Sequence, residues 1–234
     1  MRVSRVSMLI PSNIDGKLQE LMRVFLAENA NINLSALRTE EACWVGNIQD
    51  SLAILEIPEI YSLLTTHYSL LDLGTGGGFP LLPLAIAFPN SLCTGLDSTK
   101  KKIDAVGRIA KDAGITNIEL IAERAEVLGR NHRHREHYDI VTSRAVAPIN
   151  VLLEYCSPFV KVDGIILLWK SLHIDDELNQ SKKAQEVLHS ELIAKHEYEL
   201  PLDFGKRQIL VFKKTKTLNR LFPRNVGEAK KSPL

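Results

Sequence analysis

The decamer Leu71-Asp72-Leu73-Gly74-Thr75-Gly76-Gly77-Gly78-Phe79-Pro80 constrains this chain more than any other stretch. It sets four glycines within five residues between two apolar segments. The run before it, 68–73, reads as a buried strand. The run after it, 79–88, is too short to span a bilayer and contains Pro80 and Pro83, so it reads as a core helix. Glycines at such a junction accept positive φ and let a ligand approach the backbone closely. In open α/β sheets the ligand sits beyond the carboxyl ends of the strands, where this loop falls. The plain alternative is a glycine-rich turn that holds nothing.

Downstream, apolar runs alternate with helical patterns. Strands are expected at 68–73, 91–96, 117–122, 138–143, 165–169, 193–199 and 207–213. Helices are expected at 99–113, 148–157 and 175–189, with a short one near 125–129. Alternating strands and helices with continuous apolar strands predict an α/β fold, with a mainly parallel seven-stranded sheet covered by helices on both faces. Upstream, Leu18, Leu21, Met22, Phe25 and Leu26 recur at helical spacing. Thr39 is a good N-cap for a second helix reaching about Leu55, with Glu40 and Glu41 in its first turn. Pro58 opens a third, short helix. Residues 1–66 thus read as an N-terminal helical cap, 67–215 as the core and 216–234 as a basic tail.

The loop's own residues narrow the ligand. A phosphate-gripping loop needs Gly-Lys-Ser or Gly-Lys-Thr, and neither occurs here. A dinucleotide fingerprint needs a glycine at its sixth position, which Phe79 occupies. Asp97 ends the second strand, 23 residues after Gly74. A carboxylate there accepts hydrogen bonds from both ribose hydroxyls. Such a loop without pyrophosphate features, joined to a ribose acid, fits S-adenosylmethionine better than NAD. Asp97 as a partner of the following helix's N-terminus is the alternative.

Charge is uneven. Residues 206–234 carry nine Lys/Arg against one acid, Glu228, while the whole chain is nearly neutral at +1. A basic end on an acidic body suits a polyanion partner; a solvated tail that aids solubility is the other reading. The expected phosphate contacts are Lys213, Lys214, Lys216, Arg220, Arg224, Lys230 and Lys231. Arg130, His132, Arg133, His134, Arg135 and His137 read as a solvated loop before a second RNA contact. Three scattered cysteines, Cys43, Cys93 and Cys156, show no ligand spacing and predict neither disulfide nor zinc. That cysteine usage suits a reducing cytosol, no leader or membrane span is evident, and no unusually apolar surface helix is seen, so a cytoplasmic monomer is expected.

Several segments together carry a family resemblance: the glycine decamer, LDSTKKK (96–102), ERAEVLG (123–129), DIVTSRAVAP (139–148) and FPRNVGEAKKSPL (222–234). With NINLSALR (31–38), they resemble the bacterial RsmG (GidB) family, over essentially the whole chain. The resemblance implies a Rossmann-like class I methyltransferase that uses S-adenosyl-L-methionine to make 7-methylguanosine in 16S ribosomal RNA, with that RNA or the small ribosomal subunit as partner. It also implies that Gly74, Phe79, Ala125, Glu126 and Arg144 line the cofactor pocket beside Asp97. Arg144 there can grip the methionine carboxylate, or else form a salt bridge across strand ends. Glu126, without the resemblance, reads as a surface acid. The family's Arg-His-x-x-Asp-Ser segment appears here as Gly46-Asn47-Ile48-Gln49-Asp50-Ser51, so its basic pair is missing. No catalytic side chain and no metal ligand is assigned. Two other functions are compatible with the pattern: a non-catalytic RNA-binding ribosome-assembly factor, and a methyltransferase of the same fold acting on a small molecule.

Overall fold

In the computed structural model of the chain, residues 4–5, 12–57, 60, 68–144 and 147–234 are described. The helix expected from Pro58 falls largely outside them. The sheet contains β1 (Ser4–Arg5), β2 (Ser69–Leu73), β3 (Leu92–Asp97), β4 (Ile118–Ala122), β5 (Tyr138–Arg144), β6 (Val160–Ser171), β7 (Ser190–Leu200) and β8 (Gly205–Lys214). Their spatial order is β1-β7-β8-β6-β5-β2-β3-β4. All pairs are parallel except β6–β8 and β7–β8. The seven expected strands are present. The eighth, β1, is a two-residue parallel addition at the edge, too short to leave any periodicity in the sequence.

Strand side chains alternate between two cores, as the pleat requires. Leu70, Ile140, Ile209 and Val211 enter one core, with Leu18, Leu21 and Phe25 of α1 (Ser12–Ile32) and Ile48. Leu71, Val141, Leu210 and Phe212 enter the other, with Leu152 and Leu153 of α2 (Ile149–Cys156) and with Leu218 and Ala229 from the C-terminal segment. The N-terminal helices therefore share a core with the sheet.

Thr39 caps the second helical run as expected, its Oγ1 accepting from Ala42 N at 3.2 Å. That run is not a uniform α-helix. Residues Trp44–Gln49 form a π-helical stretch before helical structure resumes at Asp50. The expected helix 175–189 is two short helices, Asp175–Gln180 and Lys182–Val187. Ser181 stands at the break, and its hydroxyl donates to Leu178 O at 2.7 Å, a local bond that competes with helix continuity.

Not all of the cations expected to contact phosphate face solvent. Lys214 is fully buried, its Nζ donating to Glu136 Oε1 (2.6 Å), Ser157 O (2.8 Å) and Val160 O (2.9 Å). Arg224 forms a two-pronged pair with buried Glu154, at 2.9 and 2.6 Å, and Lys213 pairs with Asp163. The loop read as solvated provides the dock. Arg135 donates to the carbonyls of Phe222, Leu218 and Asn219, and Arg130 to that of Pro223. Lys216, Arg220, Lys230 and Lys231 remain exposed. A charge count along the sequence cannot separate cations consumed by buried partners from those facing water.

Candidate functional site

In the sheet order, β2, β3 and β4 run outward in one direction and β5 and β6 in the other. The topological switch point therefore lies between β2 and β5, and the glycine loop leaves β2 there. A crevice of about 520 Å³ opens across these strand ends, within the range of small-molecule sites. All six expected site residues, Gly74, Phe79, Asp97, Ala125, Glu126 and Arg144, line it. The topology sets their order. Arg144 ends β5, Gly74 follows β2, Asp97 ends β3, and Ala125-Glu126 follow β4.

The loop is shaped by its backbone. Gly74, Gly76 and Gly78 have φ of 76°, 55° and 92°, in the region that favours glycine. Gly74 N and Thr75 N both donate to Leu96 O, at 2.7 and 3.0 Å. The Asp97 carboxylate serves the start of the following helix, one of its two sequence readings, and also holds the glycine loop. Its Oδ2 accepts from Gly76 N at 3.1 Å and its Oδ1 from Thr99 N at 2.8 Å, beside the helix Lys100–Asp112. A carboxylate has roughly four acceptor positions, so about two remain for a ligand.

Phe79 is buried and meets Phe25 edge-on, with ring centroids 4.8 Å apart. Glu126 is not the surface acid that its sequence position alone suggests. It is 5% exposed, and its Oε1 accepts from Gly227 N at 2.9 Å. Arg144 forms a salt bridge, but to Asp50 of the N-terminal helical segment and not across strand ends. It lines the crevice, yet its guanidinium is already tied to the N-terminal segment. Nη1 donates to Gly46 O (2.9 Å) and Asp50 Oδ2 (2.7 Å), and Nη2 to Asn47 Oδ1 (3.1 Å).

Below the loop, Asp72 is fully buried, and its Oδ1 accepts from Thr142 Oγ1 at 2.9 Å. Burial pushes its carboxyl up to about 6, against the hydrogen bonds that favour ionisation. A carboxyl whose folded value exceeds its unfolded value binds its proton more tightly in the fold. Its cost to stability therefore grows as pH rises from about 4 through 6 and is complete above 7. Asp72→Asn should stabilise the protein by about 2 kcal/mol more at pH 8 than at pH 4.5. Urea unfolding at the two pH values measures this, and an equal effect at both would contradict it.

Several lining residues stand outside the six expected from the sequence. Leu34 and Ser35 come from the loop after α1. Buried Asn29 clamps that loop, accepting from Ser35 N at 2.8 Å and donating to Ser35 O at 3.0 Å. Tyr155, Gly227 and Lys230 close the far end. Gly227 belongs to the C-terminal segment, whose composition suggests a loose tail rather than a pocket wall. Tyr155 sits in an apolar helix where nothing marks one residue as facing a ligand.

The chain is similar to proteins already known. A family model described as "rRNA small subunit methyltransferase G" (GidB) matches residues 14–202. The chain is 39% identical over 206 residues to the ribosomal RNA small subunit methyltransferase G of Desulforamulus reducens, covering 88% of this chain and 84% of the relative. It is also 39% identical to the protein of that name from Carboxydothermus hydrogenoformans, covering 91% and 88%. Among solved structures, the fold resembles the ribosomal protein L11 methylase of Lactobacillus delbrueckii subsp. bulgaricus. There the TM-score is 0.52 at 15% identity, over 73% of this chain and 79% of that one.

Proposed function

The chain belongs to the rRNA small subunit methyltransferase G family, and from that membership we propose that it methylates N7 of a guanine in 16S ribosomal RNA with S-adenosyl-L-methionine as methyl donor. The observation that carries this reading is the order of groups across the strand ends, with acceptor capacity left on Asp97. Arg144 suits the amino-acid carboxylate, the glycine loop the thioether region, Asp97 the ribose hydroxyls, and Ala125-Glu126 with Tyr155 the adenine. When bound, S-adenosylmethionine supplies an electrophilic methyl on a sulfonium.

The side chains are asked mainly to bind and align. Guanine N7 carries an exposed lone pair and no proton, so its attack requires no general base. Well-oriented intramolecular reactions gain roughly 7–11 kcal/mol from positioning, an upper guide to what the crevice contributes. A base inside paired structure must leave its stack to reach the crevice.

The reading is tested by incubating the protein with small-subunit RNA or particles and methyl-labelled donor, then analysing nucleosides. Label in 7-methylguanosine supports it; label in another nucleoside, or none with either substrate, refutes it. RNA contact is expected through the exposed tail cations. Replacing Lys216, Arg220, Lys230 and Lys231 with alanine should flatten the dependence of RNA affinity on salt, by about 0.7 in log–log slope for each phosphate no longer neutralised. Filter-binding titrations at several salt concentrations read this directly. An unchanged slope would remove the tail from the RNA interface.

A further inference from the structure

We propose that Asp50 is the positioning residue of the crevice, holding the Arg144 guanidinium in the orientation that receives the amino-acid end of the donor. This rests on the cofactor reading above and concerns a residue outside the crevice lining. The Asp50 side chain is 3% exposed. Its Oδ2 accepts from Arg144 at 2.7 Å and its Oδ1 from Tyr198 Oη at 2.6 Å, while its backbone carbonyl accepts from Trp169 Nε1 at 2.8 Å. Arg207 Nε lies 3.7 Å away. Residues from β5, β6, β7 and β8 thus converge on one carboxylate-bearing residue of the N-terminal segment.

The π-helical stretch explains how that segment reaches Arg144. Such stretches are uncommon and displace backbone groups from the regular ladder. Here Gly46 O and Asn47 Oδ1, with Asp50 Oδ2, engage three of the guanidinium's five N–H donors. Nε–H and one Nη2–H remain, the number a carboxylate grip needs. Gly46 is packed against two other side chains, since a Cβ there would lie 2.6 Å from Leu37 and 2.7 Å from Phe204. A half-buried cation held by three acceptors is ordered before a ligand arrives, so affinity is not spent on ordering it.

Two ligands separate this role from general stability. S-adenosylhomocysteine carries the amino-acid carboxylate; 5′-methylthioadenosine has the same nucleoside thioether without it. Asp50→Asn keeps the shape and an acceptor for Tyr198 but sets an amide donor against Arg144. By calorimetry, D50N should weaken S-adenosylhomocysteine about tenfold and 5′-methylthioadenosine less than twofold. In an R144A background, D50N should add no further loss. If D50N fails to fold, Asn47→Ala, which removes the Nη2 acceptor and a long Nδ2–Cys43 Sγ contact, should show the same split at smaller size. Equal weakening of both ligands, or additive losses in the double variant, overturns the positioning role alone. A wild-type protein that binds neither ligand overturns the cofactor reading and this inference together.

Discussion

Asp97→Ala is expected to raise the dissociation constant for S-adenosylmethionine at least a hundredfold. Two losses combine at this residue. The carboxylate now holds Gly76 N and Thr99 N, at 3.1 and 2.8 Å, and so sets the shape of the loop before any ligand arrives. In the proposed complex it also accepts from the ribose hydroxyls. Hydrogen bonds to a charged group contribute about 1.5–3 kcal/mol each, so removing two ribose bonds predicts a drop of roughly 10²- to 10⁴-fold. Asp97→Asn keeps one acceptor oxygen and should fall between wild type and alanine. Calorimetric titration measures all three proteins. A change below threefold in the alanine variant would mean that the sugar is held elsewhere.

The second large effect is on stability and comes from Lys214. Its ammonium spends all three donors on Glu136, Ser157 O and Val160 O, and burial pulls its pKa down from the usual lysine range. Glu136 Oε1 also accepts from Leu218 N at 2.9 Å, so this pair anchors the start of the C-terminal segment. Lys214→Ala leaves the carboxylate and two carbonyls without their partner. Breaking a buried pair in this way costs about 3–5 kcal/mol. Lys216→Ala, two residues on and exposed, should change stability by less than about 0.5 kcal/mol. Urea unfolding of the two variants distinguishes a docked segment from a loose one; similar midpoints would contradict the docking.

That contrast shows where sequence reading stops. The glycine loop is legible because positive φ and close approach demand one residue type, and the central strands β2, β3 and β5 because burial on both faces produces continuous apolar runs. Asp97 is legible from its distance to the loop. The dock of the C-terminal segment is not, since it depends on Arg135 meeting carbonyls more than 80 residues away. Arg144 offers two readings because a strand-end arginine looks the same whether it faces a ligand or an acid; only the fold brings Asp50 to it. In the sequence, the departures at Gly46 and Asn47 look like losses of positive charge. In the structure these positions supply a carbonyl and an amide oxygen to a neighbouring cation.

In the proposed complex the crevice between β5 and β4 receives a sulfonium nucleoside whose sugar rests on Asp97. A crystal structure with S-adenosylhomocysteine tests it most directly. Both ribose hydroxyls should lie within hydrogen-bonding distance of the Asp97 carboxylate, with the amino-acid carboxylate facing Arg144. Density for the nucleoside at another location, or a crevice that stays vacant at saturating ligand, would contradict it.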